Sequence, residues 1–423
     1  MKRRAPLLAV LIASGLSAAG SAMTLIAIPW FVLDTTGSGA RTGLIAALET
    51  LGLLLSVALA GPLVDRYGAR LVSMLSDLGT VVAVAAIPLA YATTGLSFPA
   101  LAALAFGIGL GRAPARTAKS VLLPQAIETA GASVERGTSA QEAVQRLGDL
   151  LGAPAGGALI AVFGAAPVLL IDAGAILGGV LLVGVLVPAG SPSAHSGTGV
   201  RGYLGDLRDA MIRLRGDRLL FAIGIVVAVT NALFVGLASV LLPAYGSLVW
   251  HNSALVGMAI AAVGVGGLLG AGLYGWLGAQ LPRRMTFVGC FLLSGPPTFA
   301  ALALDPNPVL LLVLLVVSSL GRGPLNPILA GVKYERVPVE FRGRVFAVLT
   351  TAALAAMPLG TLLAGVLLDV IGLRPAVLVL GGLCLLATSC PLVFPVWRGL
   401  DRATEPAKAA TPKVSPPATS AHG

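Results

Sequence analysis

The chain reads as an all-α polytopic membrane protein, with twelve transmembrane helices in two pseudo-symmetric six-helix bundles. Three observations lead there. Of its 423 residues, 57% are hydrophobic and only 11% charged, with mean hydropathy +0.93, whereas soluble proteins carry about 25% charged residues. The apolar residues form continuous runs of about 20, the length that crosses ~30 Å of hydrocarbon, rather than the alternation of a barrel strand. The chain also repeats itself. Gly111-Arg112-Ala113-Pro114 recurs as Gly321-Arg322-Gly323-Pro324, Pro154 as Pro358, Gly164 and Pro167 as Gly372 and Pro375, and Gly61 and Arg70 as Gly275 and Arg284. The offsets run from 204 to 214 residues, in chain order, which marks a duplicated six-helix unit.

In chain order, spans are expected over residues 7–33, 43–63, 72–92, 98–122, 144–163, 166–187, 219–243, 254–277, 285–303, 309–332, 345–371 and 375–397. The first opens after MKRR, and its apolar run continues past SAAGSAM through Ile28, Trp30 and Leu33. It is long enough to span the membrane as an uncleaved helix. Threading from a cytoplasmic N-terminus leaves most Lys and Arg on the inner side, with Arg41 and Arg374 on outer loops and Arg112 and Arg322 within spans. The expectation is a multi-pass plasma-membrane protein with both termini cytoplasmic. Residues 1–187 form the first bundle and 219–397 the second. Between them, 188–218 begins with the Gly/Ser/Pro stretch PAGSPSAHSGTGV and continues as an amphipathic helix on the inner face. Residues 398–423 read as a disordered cytoplasmic tail.

The net charge of +10 and pI of 10.1 do not indicate nucleic acid, because no basic face carries interleaved aromatics. Basic inner loops against anionic lipid headgroups account for the charge. Cys290, Cys384 and Cys390 lie in apolar runs and support neither a disulfide framework nor a metal site. The three histidines, His195, His251 and His422, stand in loops or the tail, and there is no HExxH. No phosphate-binding G-x-x-x-x-G-K-[ST] loop exists, so an enzyme and an ATP-driven pump are both disfavoured.

Gly61 to Arg70, GPLVDRYGAR, is a charged turn between two apolar runs. Its Gly61, Leu63, Asp65, Arg66, Gly68 and Arg70 resemble the loop between the second and third helices of the major facilitator superfamily, with Arg70 one place late and Ala69 where the family has Arg. Gly148, Gly152, Pro154, Gly156 and Gly157, in GDLLGAPAGG, resemble the antiporter signature of exporting facilitators, with the proline displaced one place by Ala153. Pro29, Trp30, Asp34 and Gly37 are similar to the drug-exporting subgroup that includes macrolide and siderophore exporters. The resemblance covers about residues 5–397. It implies a secondary active transporter that exports a small amphipathic compound by alternating access. The expected driving force is the proton gradient, with no cofactor. The expected partners are that small molecule and the bilayer, for a chain acting as a monomer. A uniporter or importer is the alternative within the class, and a receptor or scaffold lies outside it.

Ionisable groups inside spans cost roughly 2.5–3.5 kcal/mol at the bilayer centre, so they mark pathways or ion pairs. Glu49 lies mid-span with no charged neighbour within one turn. It is either a proton carrier or a permanently protonated group bonded to another helix. Asp149 has Arg146 one turn earlier as a prospective partner. Arg112 resembles the facilitator arginine that influences proton binding, and snorkelling to the inner surface is its alternative. Glu49, Asp149 and Arg112 are thus the proton-coupling candidates. Asn231 and Arg322 are assigned to the substrate wall. Asp172 and Asp369 are expected at the outer interface. The resemblance also implies a latch on the inner side, in the outward-facing state, between Asp65 and the helix that follows Arg342 and Arg344. The matching second-half loop has Ala279 where an acid is predicted, so that latch is one-sided.

Overall fold

The computed structural model describes residues 2–93, 95–188, 211–212, 214–305 and 307–401. Among these, twelve helices are long and apolar enough to cross a membrane: α1 (Ala5–Thr36), α2 (Gly39–Tyr67), α3 (Ala69–Thr93), α4 (Phe98–Ala130), α5 (Val134–Phe163), α6 (Ala165–Leu186), α7 (Arg218–Trp250), α8 (Ser253–Leu277), α9 (Arg283–Leu304), α10 (Pro308–Arg336), α11 (Val339–Ile371) and α12 (Leu373–Val393). Short polar caps start many of them. Ser38, Ser97, Ser133, Asp217, Asn252 and Asn307 each accept a backbone N–H of the first turn. Left-handed Gly37 and Gly131 stop α1 and α4, and Gly68 turns between α2 and α3 at φ +83°.

Several helices outrun the apolar window that announced them. α5 starts at Val134 rather than 144, because a polar extension capped by Ser133 continues the helix beyond the apolar run. α7 reaches Trp250 rather than 243 through two π-turns, Leu237–Leu241 and Gly246–Trp250. They bracket Pro243, whose missing N–H breaks the regular ladder. α12 ends at Val393, not 397. A 3₁₀ turn, Pro395–Leu400, follows it and buries Trp397 and Leu400. Most of the expected linker (residues 189–210) and of the tail (402–423) lies outside the described residues.

Within the first six helices, α4 packs on α2 and α3, while α1 packs on α5 and α6. The second six repeat part of this plan, with α8 on α10, α7 on α11 and α9 on α12. The register of the repeat holds in space. Gly52 lies against the Phe106 carbonyl and Gly109, and Gly266 lies against the Val316 carbonyl and Ser319. Residues 214 apart in α2 and α8 therefore face residues 210 apart in α4 and α10.

Each helix counts as one crossing, so the N-terminus and the α6 end share one face, here the N-terminal face. The α1–α2 and α11–α12 turns lie on the opposite, distal face. The halves meet through α2 against α11 and α5 against α8. These contacts reach backbone to backbone. Gly43 faces the Thr361 carbonyl and Gly365, and Gly157 faces Ser253 and Gly257. Hydrogen bonds between described residues link the halves toward the distal end. Ser253 Oγ donates to the Gly157 carbonyl at 2.9 Å. The Asp369 carboxylate at the end of α11 accepts from Ser38 Oγ (2.8 Å), Gly39 N–H (2.6 Å) and Ala40 N–H (2.9 Å). It caps the N-terminus of α2 from the other half.

The tightest packing within the first half generates a prediction. A side chain at Gly109 would collide with the Glu49 carbonyl and the backbone of Leu53. Gly109→Val should cost about 1–3 kcal/mol by overpacking, read as a lower unfolding midpoint in detergent. An unchanged midpoint would reject the close α2–α4 approach.

Candidate functional site

A cavity of about 410 Å3 opens into the first half. Its wall carries Ser17 and Ser21 of α1, Asp77 and Thr80 of α3, Arg112, Arg116 and Lys119 of α4, and Asp149 of α5. Among the described residues of the second half, only Leu354 of α11 reaches it. The lining is mixed. Polar groups sit between Leu53, Val57 and Ile176, the mixed lining typical of a small-molecule pocket.

Most of the charge in this wall is paired through α4. Arg112 Nη1 lies 2.6 Å from Glu49 Oε1 of α2. Two turns further along α4, Lys119 Nζ lies 2.7 Å from Asp77 Oδ2 of α3 and also bonds Ser17 Oγ of α1. Lys119 and Asp77 are both buried. A third acid, Asp172 of α6, is fully buried. It accepts a 2.6 Å hydrogen bond from Thr24 Oγ1, while its Oδ1 has no partner among the described residues. Helix α4 thus holds carboxylates from two neighbours by two fixed cations. Removing one member of such a pair leaves a buried charge uncompensated.

This geometry alters several expectations. Glu49 has a charged partner after all, supplied by another helix, and Arg112 is held by it rather than snorkelling to the surface. The Asp149–Arg146 pair does not form. Arg146 lies on the exposed side of α5, 3.7 Å from Glu142, and Asp149 faces the cavity instead. Asp172 is not interfacial, because α6 starts at Ala165 and carries it seven residues, about 10 Å, into the bundle. Asp369 does stand at a surface, where it caps α2. The Asp77–Lys119–Ser17 cluster was not singled out. Its signal is two intramembrane charges, Asp77 and Lys119, in adjacent apolar runs.

The remaining candidates fall into three places. In the charged turn, Asp65 is exposed and joins no ion pair among the described residues, Arg66 lies over the Tyr67 ring at 5.3 Å, and Arg70 donates to the Gly184 carbonyl. Gly68 takes the positive φ that the turn needs, but Gly61 faces open space, so no close approach depends on it. Arg342 donates to the Val337 and Tyr334 carbonyls at 3.1 and 3.0 Å, at the end of α10. Arg344, two residues on, opens the same helical segment. The glycines of α5 act in packing. Gly148 and Gly152 press on Gly15, Ala18 and Ala19 of α1, Gly156 presses on Met23, and Gly157 with Pro154 meets α8. Asn231 is half-buried in α7, away from the cavity wall. Arg322 sits in the second half with its guanidinium 3.8 Å from the centroid of Phe234.

Comparison with known proteins places this geometry. Residues 10–250 and 225–422 match the family model of the Major Facilitator Superfamily. The chain is 34% identical over 407 residues to "Multidrug efflux pump Tap" of Mycolicibacterium fortuitum, covering 96% of this chain and 99% of that one. It is also 34% identical over 410 residues to the protein of that name in Mycobacterium tuberculosis (strain ATCC 25618 / H37Rv), covering 95% and 96%. Among solved structures, the nucleoside transporter NupG superposes with TM-score 0.73 at 15% identity, over 92% of this chain and 98% of that one. An inward-facing, unoccupied bacterial homologue of the lysosomal transporter Spinster gives 0.69 at 14% identity, over 95% and 98%.

The pairing through α4 predicts a non-additive mutant cycle. Lys119→Met or Asp77→Asn alone should destabilise the protein by about 3–5 kcal/mol, and the double variant should recover much of that loss. Thermal unfolding of the three variants measures this. Additive losses would show that the two groups do not act as a pair.

Proposed function

Because the chain belongs to the Major Facilitator Superfamily, we propose that it exports a small amphipathic compound from the cytoplasm by alternating access, in exchange for protons. The observation that carries this reading is the one-sided seal. The linking hydrogen bonds lie at the distal end, while the polar cavity sits in the half of the bundle nearer the N-terminal face. The excess of basic residues on the N-terminal face supports the reading that this face, with both termini, is the cytoplasmic side of the plasma membrane. The conformation is then inward-facing, ready to load from the cytoplasm. The direction of transport follows the multidrug efflux pumps to which 95–96% of the chain is similar.

Coupling is assigned to Glu49 and Arg112. A proton on Glu49 removes the negative member of a pair that borders the cavity, leaving Arg112 to repel a cationic group and to reorganise the wall. Loss of the proton restores the pair. Asp149, facing the cavity, is the second acid within reach of a solute. Rocking the halves closed on the cytoplasmic side brings the Asp65 turn toward the start of α11, where Arg342 and Arg344 stand. The distal contacts part at the same time. The chain acts as a monomer in this scheme, with the polar insert of residues 188–218 joining the halves.

Two measurements test the scheme. In proteoliposomes, Glu49→Gln should abolish accumulation of a dye or antibiotic driven by a pH gradient while leaving its binding intact. Wild-type gradient-driven flux in that variant would reject the assignment. Asp369→Asn leaves one acceptor oxygen where the carboxylate presents two to its three donors, and should weaken the distal seal by about 0.5–2 kcal/mol. Labelling from outside of a cysteine introduced at Ala18, on the cavity wall, should become several-fold faster. An unchanged rate would remove Asp369 from the seal.

A further inference from the structure

We infer that Arg322 is the receiving group of an anion site at the centre of the second half, and that its ligand is a carboxylate or a similar planar oxyanion. Arg322 is the midpoint of the 29 residues of α10, and Phe234 is the midpoint of the 33 residues of α7. The guanidinium lies flat enough on the Phe234 ring to approach its centroid to 3.8 Å. That contact uses one face of the group and none of its five N–H donors. No hydrogen-bond acceptor or carboxylate meets Arg322 among the described residues, and its Nε is sealed from solvent without a partner. As a residue it is half-buried, so part of its surface is not covered by protein.

The repeat shows that this isolation is specific to one half. Arg112, the counterpart of Arg322, is neutralised by Glu49. The register that pairs Gly52 with Gly266 puts Val263 where Glu49 would be, and Val263 packs on the apolar core. Asp172 of α6 has Leu380 at the matching place on α12, with Cys384 one turn further. Both acids that surround the first arginine are gone, yet the second arginine stays. An apolar replacement would be the less costly occupant of that position. A planar fork of donors, backed by an aromatic ring and lacking an acceptor, is shaped for bidentate capture of a carboxylate.

The ligand has two sources, an acidic group on a transported amphipath or a small free anion. Naming the first source rests on the proposed export function; the anion site itself does not. The probes are 2-naphthoate and its uncharged amide, with binding to detergent-purified protein followed by thermal shift at fixed ionic strength. The naphthoate should bind the wild type at least tenfold more tightly than the amide. Arg322→Gln should remove that preference while leaving amide binding within about twofold. Arg322→Lys, which keeps the charge but not the fork, should retain only part of it. Protection by acetate that is lost in Arg322→Gln would also support the site and assign it to free anions. Equal binding of acid and amide to the wild type, or a preference that survives Arg322→Gln, would overturn the inference. None of these readouts uses transport, so failure of gradient-driven flux leaves the result interpretable on its own.

Discussion

The structure depends on how α4 disposes of its charge. Arg112 and Lys119 stand seven residues apart, about 10 Å along the axis, and each takes a carboxylate from a different neighbour. Without Glu49 and Asp77, two cations would lie uncompensated inside the bundle. With those acids, α2, α3 and α4 are tied together by charge as well as by packing, and Ser17 brings in α1. The tie is possible only because α2 and α4 approach at backbone distance, through Gly52 and Gly109. Small residues and ion pairs are therefore two parts of one device. The glycines set a separation at which an arginine and a glutamate on adjacent helices meet at 2.6 Å.

Much of the architecture was legible in the sequence because lipid imposes a one-dimensional rule. Every crossing must satisfy its own backbone, so each appears as an apolar run, and Gly or a short polar cap marks where it stops. The duplication was legible for the same reason, since turns and prolines keep their order along the chain. What hydropathy does not encode is rotation about a helix axis and the partner across the gap. Glu49 looked isolated because its cation lies on another helix, and Arg146 looked available to Asp149 although its ion pair is with Glu142. Asp172 looked interfacial because it stands early in its run, but seven residues of helix carry it well inside. The second half hid its difference behind a conserved backbone plan. Phe291 and Leu329 occupy the register positions of Asp77 and Lys119 and belong to one apolar cluster.

That asymmetry divides the labour between the halves. The first half concentrates carboxylates and cations around a cavity, while the second presents an apolar interior with one arginine on an aromatic ring. An amphipathic molecule needs both surfaces at once, one for its polar group and one for its hydrocarbon. In the export proposed for this chain, a site between the unlike halves would offer both.

The same comparison of magnitudes decides which contacts move. Breaking a buried ion pair by separating its members costs on the order of 3–5 kcal/mol, so Glu49–Arg112 and Asp77–Lys119 travel as parts of a rigid half. The distal seal is of another kind. A carboxylate on an exposed helix N-terminus is worth about 0.5–2 kcal/mol, and the glycine contacts beside it bury little side-chain surface. Two conformations exchange readily only when they differ by a few kcal/mol, and the hydrogen-bonded part of the seal falls in that range while a buried ion pair does not. In the proposed export cycle the hinge is therefore the interface between the halves, and the charges within the first half are the chemistry that it would expose.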